Sequence, residues 1–154
     1  MHDDRSSENG FEGSAHEALD FLASDLGFRC VTSKPALVRY ESSLVWFEVG
    51  YSVSHDQEVY ARVGRLGGPG VLPEEPAERL DFGLLLAVAD PSGYRAIRRD
   101  VPYSIARSEE QVRRVLSYYA VGLRLHGMPL LAGDGAAYSR AREVRWWHAP
   151  DAPV

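Results

Sequence analysis

The stretch from Ala36 to Leu66 constrains the fold more than any other part of the chain. Val45, Phe47, Val49 and Tyr51 alternate with Leu44, Trp46, Glu48 and Gly50, and Val59, Ala61 and Val63 alternate with Glu58, Tyr60, Arg62 and Gly64. Successive side chains of a strand point to opposite faces, so each run puts an apolar set on one side. The β-branched and aromatic residues in both runs suit strands. Leu37 to Glu41 reads as a further strand, turned at Ser42-Ser43, and Ser52 to Gln57 is a polar turn. Strands joined by short turns pair antiparallel. With Phe28 to Thr32 ahead of them, the expected core of the fold is a four-stranded antiparallel meander.

The two faces of that sheet differ. One is apolar throughout. The other carries Trp46, Glu48, Tyr60 and Arg62 and is too aromatic to be left to water, so a helix or a partner is expected to cover it. Aromatic side chains are frequent anchors of protein interfaces. Trp46, Glu48, Tyr51, His55, Tyr60 and Arg62 are therefore the candidate partner-binding residues.

Helical spacing frames the sheet. Ser14-Ala15-His16-Glu17 has the form of a capping box, and Ala15, Ala18, Leu19, Leu22 and Leu26 follow at three- and four-residue intervals. Gly27 stands where a left-handed C-terminal cap belongs. Ser108-Glu109-Glu110-Gln111 is a second capping box. It opens a helix expected over 109–126, with an apolar stripe of Val112, Val115, Leu116, Tyr119, Ala120 and Leu123 that ends at Gly127. Asp81 can cap a short apolar helix over 82–89, and Asp134 a last one over about 135–147. Asp90-Pro91-Ser92-Gly93 reads as a stop and turn. Residues 67–76, rich in Gly and Pro, read as a surface loop, and 1–11 and 148–154 as flexible tails. The expected class is α+β: the meander packed by an N-terminal helix and C-terminal helices, in a single domain over 1–154.

Composition narrows the function classes. The chain has 154 residues and a net charge of −5. Residues 1–93 hold 16 acidic and 7 basic residues, whereas 94–147 hold 10 arginines and 5 acidic residues. Arg95, Arg98, Arg99 and Arg107 with Tyr94 and Tyr103 could suggest nucleic acid, but the overall acidity argues for arginines paired with the acidic half. No apolar run has the length of a membrane span. The N-terminus lacks a secretory pattern, so a cytoplasmic location is expected. Cys30, the lone cysteine, reads as a small buried hydrophobe within a strand.

No pair among the five histidines has helical metal spacing, the Gly-rich loop lacks the Lys-Ser/Thr of a phosphate loop, and no nucleophile elbow appears. Neither cofactor, metal nor catalysis is expected. If the chain instead holds a small ligand or acts as an enzyme, the place is a pocket between sheet and C-terminal helices, with Arg95, Arg98, Tyr103 and His126 as its polar groups.

The order of elements, with the phrases LDFLASDLGF, VRYESSLVWFEVGY and HGMPLLAGD across roughly residues 15–141, resembles a group of small bacterial α+β proteins. Similar small domains serve as immunity proteins, which neutralise a partner toxin. The resemblance implies a protein-binding module with a protein partner, a toxin in that setting. A homodimer is a further option for the chain. It carries over no catalytic residue.

Overall fold

A computed structural model gives the architecture and describes residues 9–52, 56–66 and 78–149. The chain runs α1 (Phe11–Ser24), β1 (Arg29–Lys34), β2 (Leu37–Glu41), β3 (Val45–Ser52), β4 (Glu58–Arg65), β5 (Leu80–Asp81), α2 (Phe82–Ala89), α3 (Pro91–Asp100), α4 (Glu109–His126), α5 (Met128–Leu131) and α6 (Gly135–Arg142). Single 3₁₀ turns occupy Pro102–Ser104 and Trp146–His148. The class is α+β, and all strands pair antiparallel in the order β1-β2-β3-β4-β5. The sheet has five strands rather than the expected four. The added one, β5, is two residues long and pairs Leu80 with Val63 and Asp81 with Arg62. Two residues carry no periodicity, so only their pairing with β4 reveals them.

The inner face is built as the alternation requires. Val45, Phe47, Val49, Val59, Ala61 and Val63 are all buried against the helices. Helices α1 and α4 cover this face with Leu19, Leu22, Val112, Val115, Leu116 and Leu123, also buried. Full burial of such a side chain is worth about 1.5–3 kcal/mol each, which makes this layer the main source of stability. Helix α4 matches its expected bounds. The Ser108 hydroxyl accepts from the Gln111 amide (3.2 Å), and the Gln111 side chain accepts from the amide of Arg107 (2.7 Å). Asp81 caps α2 through the Leu84 amide, and Asp134 caps α6 through that of Ala136.

Four expectations are corrected by tertiary contacts. Helix α1 begins at Phe11, so Ser14 lies inside its first turn rather than capping it. Phe11 is wholly buried and stacks on Tyr51 (5.8 Å between centroids), which draws the helix start upstream and makes residues 9–11 ordered parts of the fold. Asp90-Pro91 ends α2 and at once starts α3: the Asp90 carboxylate accepts from the Gly93 amide, and proline at the first helical position costs no hydrogen bond. Helix α6 stops at Arg142, where Glu143 and Val144 tighten the last turn with i→i+3 bonds, and both Trp146 and Trp147 emerge exposed on the following turn. Cys30 is exposed, because β1 is an edge strand whose register slips between Cys30 and Thr32; its thiol donates to the Thr32 carbonyl. The expected 67–76 loop and the outermost tails lie outside the described residues, apart from His148 and Ala149, which belong to the last 3₁₀ turn and its end.

Candidate functional site

The outer face of the sheet closes itself. In register, Arg39 pairs with Glu48 and Glu48 with Arg62, forming an alternating row of charge across β2, β3 and β4. Glu48 is 8% exposed and receives Arg39 (3.4 Å) and Arg62 (4.0 Å), while Arg39 also reaches Glu41 (2.9 Å). The aromatic rings lie down on glycines. Tyr60 is opposite Gly50, and a Cβ at Gly50 would overlap the Tyr60 ring. Trp46 is opposite Gly64, and a Cβ there would overlap the Glu78 carbonyl and fall 2.7 Å from the Trp46 Nε1. Guanidinium groups then cap the rings, Arg39 over Trp46 and Arg62 over Tyr60, each 4.4 Å from the centroid. Trp46 is thereby 1% exposed, and among the described residues its Nε1 finds no acceptor.

The six candidate residues fall into three groups. Trp46, Glu48, Tyr60 and Arg62 share this outer face. Tyr51 points the other way into the core, 3% exposed, where its hydroxyl donates to the Ala106 carbonyl and accepts from the Asn9 amide nitrogen. His55 lies outside the described residues.

Beside Tyr60 a cleft of about 340 Å³ opens between the sheet edge and helices α2, α3 and α4. Glu58, Tyr60 and Asp81 form the strand wall. Tyr94 and Arg98 of α3, then Tyr103 and Ser104, form the opposite wall, and Tyr118 and Tyr119 of α4 line it between them. Arg98 is stacked over Tyr103 (4.5 Å) and Tyr94 (5.7 Å), and donates to the Tyr94 hydroxyl (3.0 Å). Tyr103 and Ser104 both hold left-handed backbone, φ 57° and 61°, a strained pair for residues with a Cβ. Of the four groups expected in such a pocket, Arg98 and Tyr103 line it. Arg95 does not, and His126 borders a separate, more apolar cleft of about 230 Å³ between α2 and α6.

The electrostatics of the cleft are set by burial. Burial pushes the Glu58 carboxyl above its usual value, with the charges of Asp56 and Asp81 adding to the shift and Arg62 opposing it. Burial also raises the phenols of Tyr118 and Tyr119, so both stay protonated. The Tyr119 hydroxyl donates to the Val59 carbonyl (2.9 Å); that of Tyr118 is buried without a partner among the described residues. Among the described residues no three His, Cys, Asp or Glu side chains are grouped to hold a metal.

No family model matches this chain, no curated protein matches it, and no solved structure matches its fold.

One further constellation escaped the sequence reading. His16 Nε2 is 2.7 Å from the Ser33 hydroxyl, and its Nδ1 is 3.1 Å from the Tyr40 hydroxyl. The geometry has the outline of a nucleophile and its base, but the Ser33 proton goes to the Glu12 carboxylate. A serine activated by histidine would give its proton to the ring instead. None of these four residues lines any of the clefts described above. The network ties α1 to β1 and β2, and burial holds the Tyr40 phenol up at about 12, protonated. Nothing in the linear spacing of Glu12, His16, Ser33 and Tyr40 announces it; only the docking of α1 across two strands brings them together.

Proposed function

We propose that this protein is a non-catalytic binding module that holds a protein partner at the mouth of the α2–α4 cleft, in the manner of an immunity protein holding a toxin. The observation that carries this reading is the clustering of exposed aromatics. Tyr103, Trp146 and Trp147 are 62%, 57% and 58% exposed, and no other aromatic among the described residues is more than half exposed. Tyr103 and Trp146 both line the cleft, and Trp147 packs edge-on against Trp146 (5.8 Å). Rigid aromatic groups around a concavity are the usual composition of an interface hot spot. The outer strand face is a weaker anchor surface, because Arg39 and Arg62 already cap its rings.

The test is affinity capture with the wild-type chain and with a Tyr103→Ala/Trp146→Ala variant of unchanged melting temperature. A protein recovered by the first and lost by the second supports the reading, and co-expression should then suppress that protein's toxicity. Equal recovery by both would move the interface elsewhere.

A second reading rests on the cleft itself, whose volume falls within the range of small-molecule sites. As a small-ligand binder or enzyme the protein would use Glu58, a cleft carboxyl that burial raises above its usual value. A metabolite screen by thermal shift, with Glu58→Gln as control, separates the two: a stabilising small molecule whose effect the variant abolishes favours it.

A further inference from the structure

Among the described α-helices only α3 has no buried residue, whereas α2 buries Phe82, Leu86 and Ala87 and α4 buries seven residues. A helix of ten residues depends on packing for its stability, and Ile97, which packs on the core, is itself only partly buried. The other ties lie near the surface. Arg114 donates to the Asp100 carboxylate at 2.7 Å with both side chains about half exposed, and exposed pairs of this kind add little. Arg98 lies over Tyr94 on its own helix and over the exposed Tyr103. A single non-helical residue stands at each end of α3: Asp90 (φ −134°, ψ 74°) parts it from α2, and Val101 (φ −135°, ψ 82°) closes it. Few dihedrals need change for the helix to turn on such joints. Val101 is buried and holds the far joint in place. Beneath α3, beside Asp90 and Tyr94, the Tyr118 hydroxyl is buried without a partner among the described residues. An unbonded buried hydroxyl penalises the arrangement that buries it, and water would reach it once α3 lifts.

We propose that α3 is a flap over the cleft, which swings on Asp90 and Val101 while α2 and α4 stay folded. Tyr94, Ile97 and Arg98 are its share of the cleft wall, and Ala87 of α2 lines the same cleft yet is buried. Closed, the flap holds the cleft at about 340 Å³ and shields Ala87 and the Tyr118 hydroxyl. Open, it bares that inner wall, so any occupant that reaches Tyr118 enters through the open form. The proposal concerns access to the cleft and stands apart from what the cleft binds.

The test is native-state hydrogen exchange of the wild-type chain, followed amide by amide with and without mild denaturant. The amides bonded within α3, as far as that of Val101 on the Ile97 carbonyl, should exchange as one set. Corrected for intrinsic rates, they should exchange at least about a hundredfold faster than those of Val115 to Leu123 and respond little to denaturant, as a local opening does. Tyr118→Phe removes the unbonded hydroxyl and should slow α3 about fivefold, with α4 no faster. A second readout is chemical. In a Cys30→Ser background, which removes the exposed thiol, Ala87→Cys places one under the flap. Its alkylation should run at the pace of α3 exchange. The proposal is overturned if α3 exchanges only together with α4, or in graded order from one end as a fraying helix does. It is equally overturned if Tyr118→Phe leaves α3 exchange as fast as before. A thiol at position 87 that reacts as quickly as a free one, or only on global unfolding, overturns it too.

Discussion

Strand β3 is buried on both of its faces, but the two are sealed by different means. The inner face is covered from outside itself, by the stripes of α1 and α4. The outer face is covered by the sheet's own side chains: rings laid over Gly50 and Gly64, arginines over the rings, and Glu48 between the arginines. The first mode needs only apolar residues at period two. The second needs a glycine directly across from each aromatic, and hence a fixed register. Alternation therefore says which residues share a face, without saying whether that face meets water.

Removing a side chain from each face should expose the difference. Phe47 is wholly buried on the inner face and meets Phe82 edge-on at 5.5 Å. Phe47→Ala should cost about 3–5 kcal/mol in denaturant unfolding, since no neighbour can fill the cavity. A loss below about 1 kcal/mol would mean that the inner face is loosely packed and the contrast is wrong.

On the outer face the sensitive positions are the glycines. Gly64→Ala drives a Cβ into the Glu78 carbonyl, which is backbone and cannot rotate away, so about 2–3 kcal/mol of destabilisation is expected. Gly50→Ala meets the Tyr60 ring first, which can swing aside, and about 1 kcal/mol should suffice. The pair is then tested by a double-mutant cycle. In a Tyr60→Ser background Gly50→Ala should cost almost nothing, and strict additivity would show that the ring does not rest on the glycine.

Acid should distinguish the faces by the smallest margin. Burial raises the Glu78 carboxyl, but hydrogen bonds from Arg65 and Arg142 outweigh this and hold it below its usual value of 4.5. Because the folded value is the lower one, the ion pairs stabilise fully above about pH 4.5, and that contribution is lost as pH falls through the folded value. Arg142 is half exposed, so the effect is about 1 kcal/mol or less. Glu78→Gln should flatten the stability profile between about pH 5 and 3, and an unchanged slope would place the acid-sensitive group elsewhere.

Much of the fold was legible because it follows from local rules. Ser108, Gln111 and Gly127 bounded α4, Asp81 bounded α2, and the period-two runs placed β2, β3 and β4. What was missed lies where a distant contact overrides a local signal. The Ser14 capping pattern lost to the burial of Phe11 against Tyr51, forty residues away in the chain. The paired glycines were visible, but their meaning was not: Trp46 faces Gly64 and Tyr60 faces Gly50 only once the turn sets the register.

The sequence by itself determined the inner layer, since hydrophobic periodicity and capping act over one or two turns and need no knowledge of what lies across the molecule. Only the tertiary structure decided the cleft. Glu58, Asp81, Tyr118 and Trp146 come from four separate elements, and no spacing along the chain encodes a meeting that depends on how α3 and α4 dock beside β4 and β5.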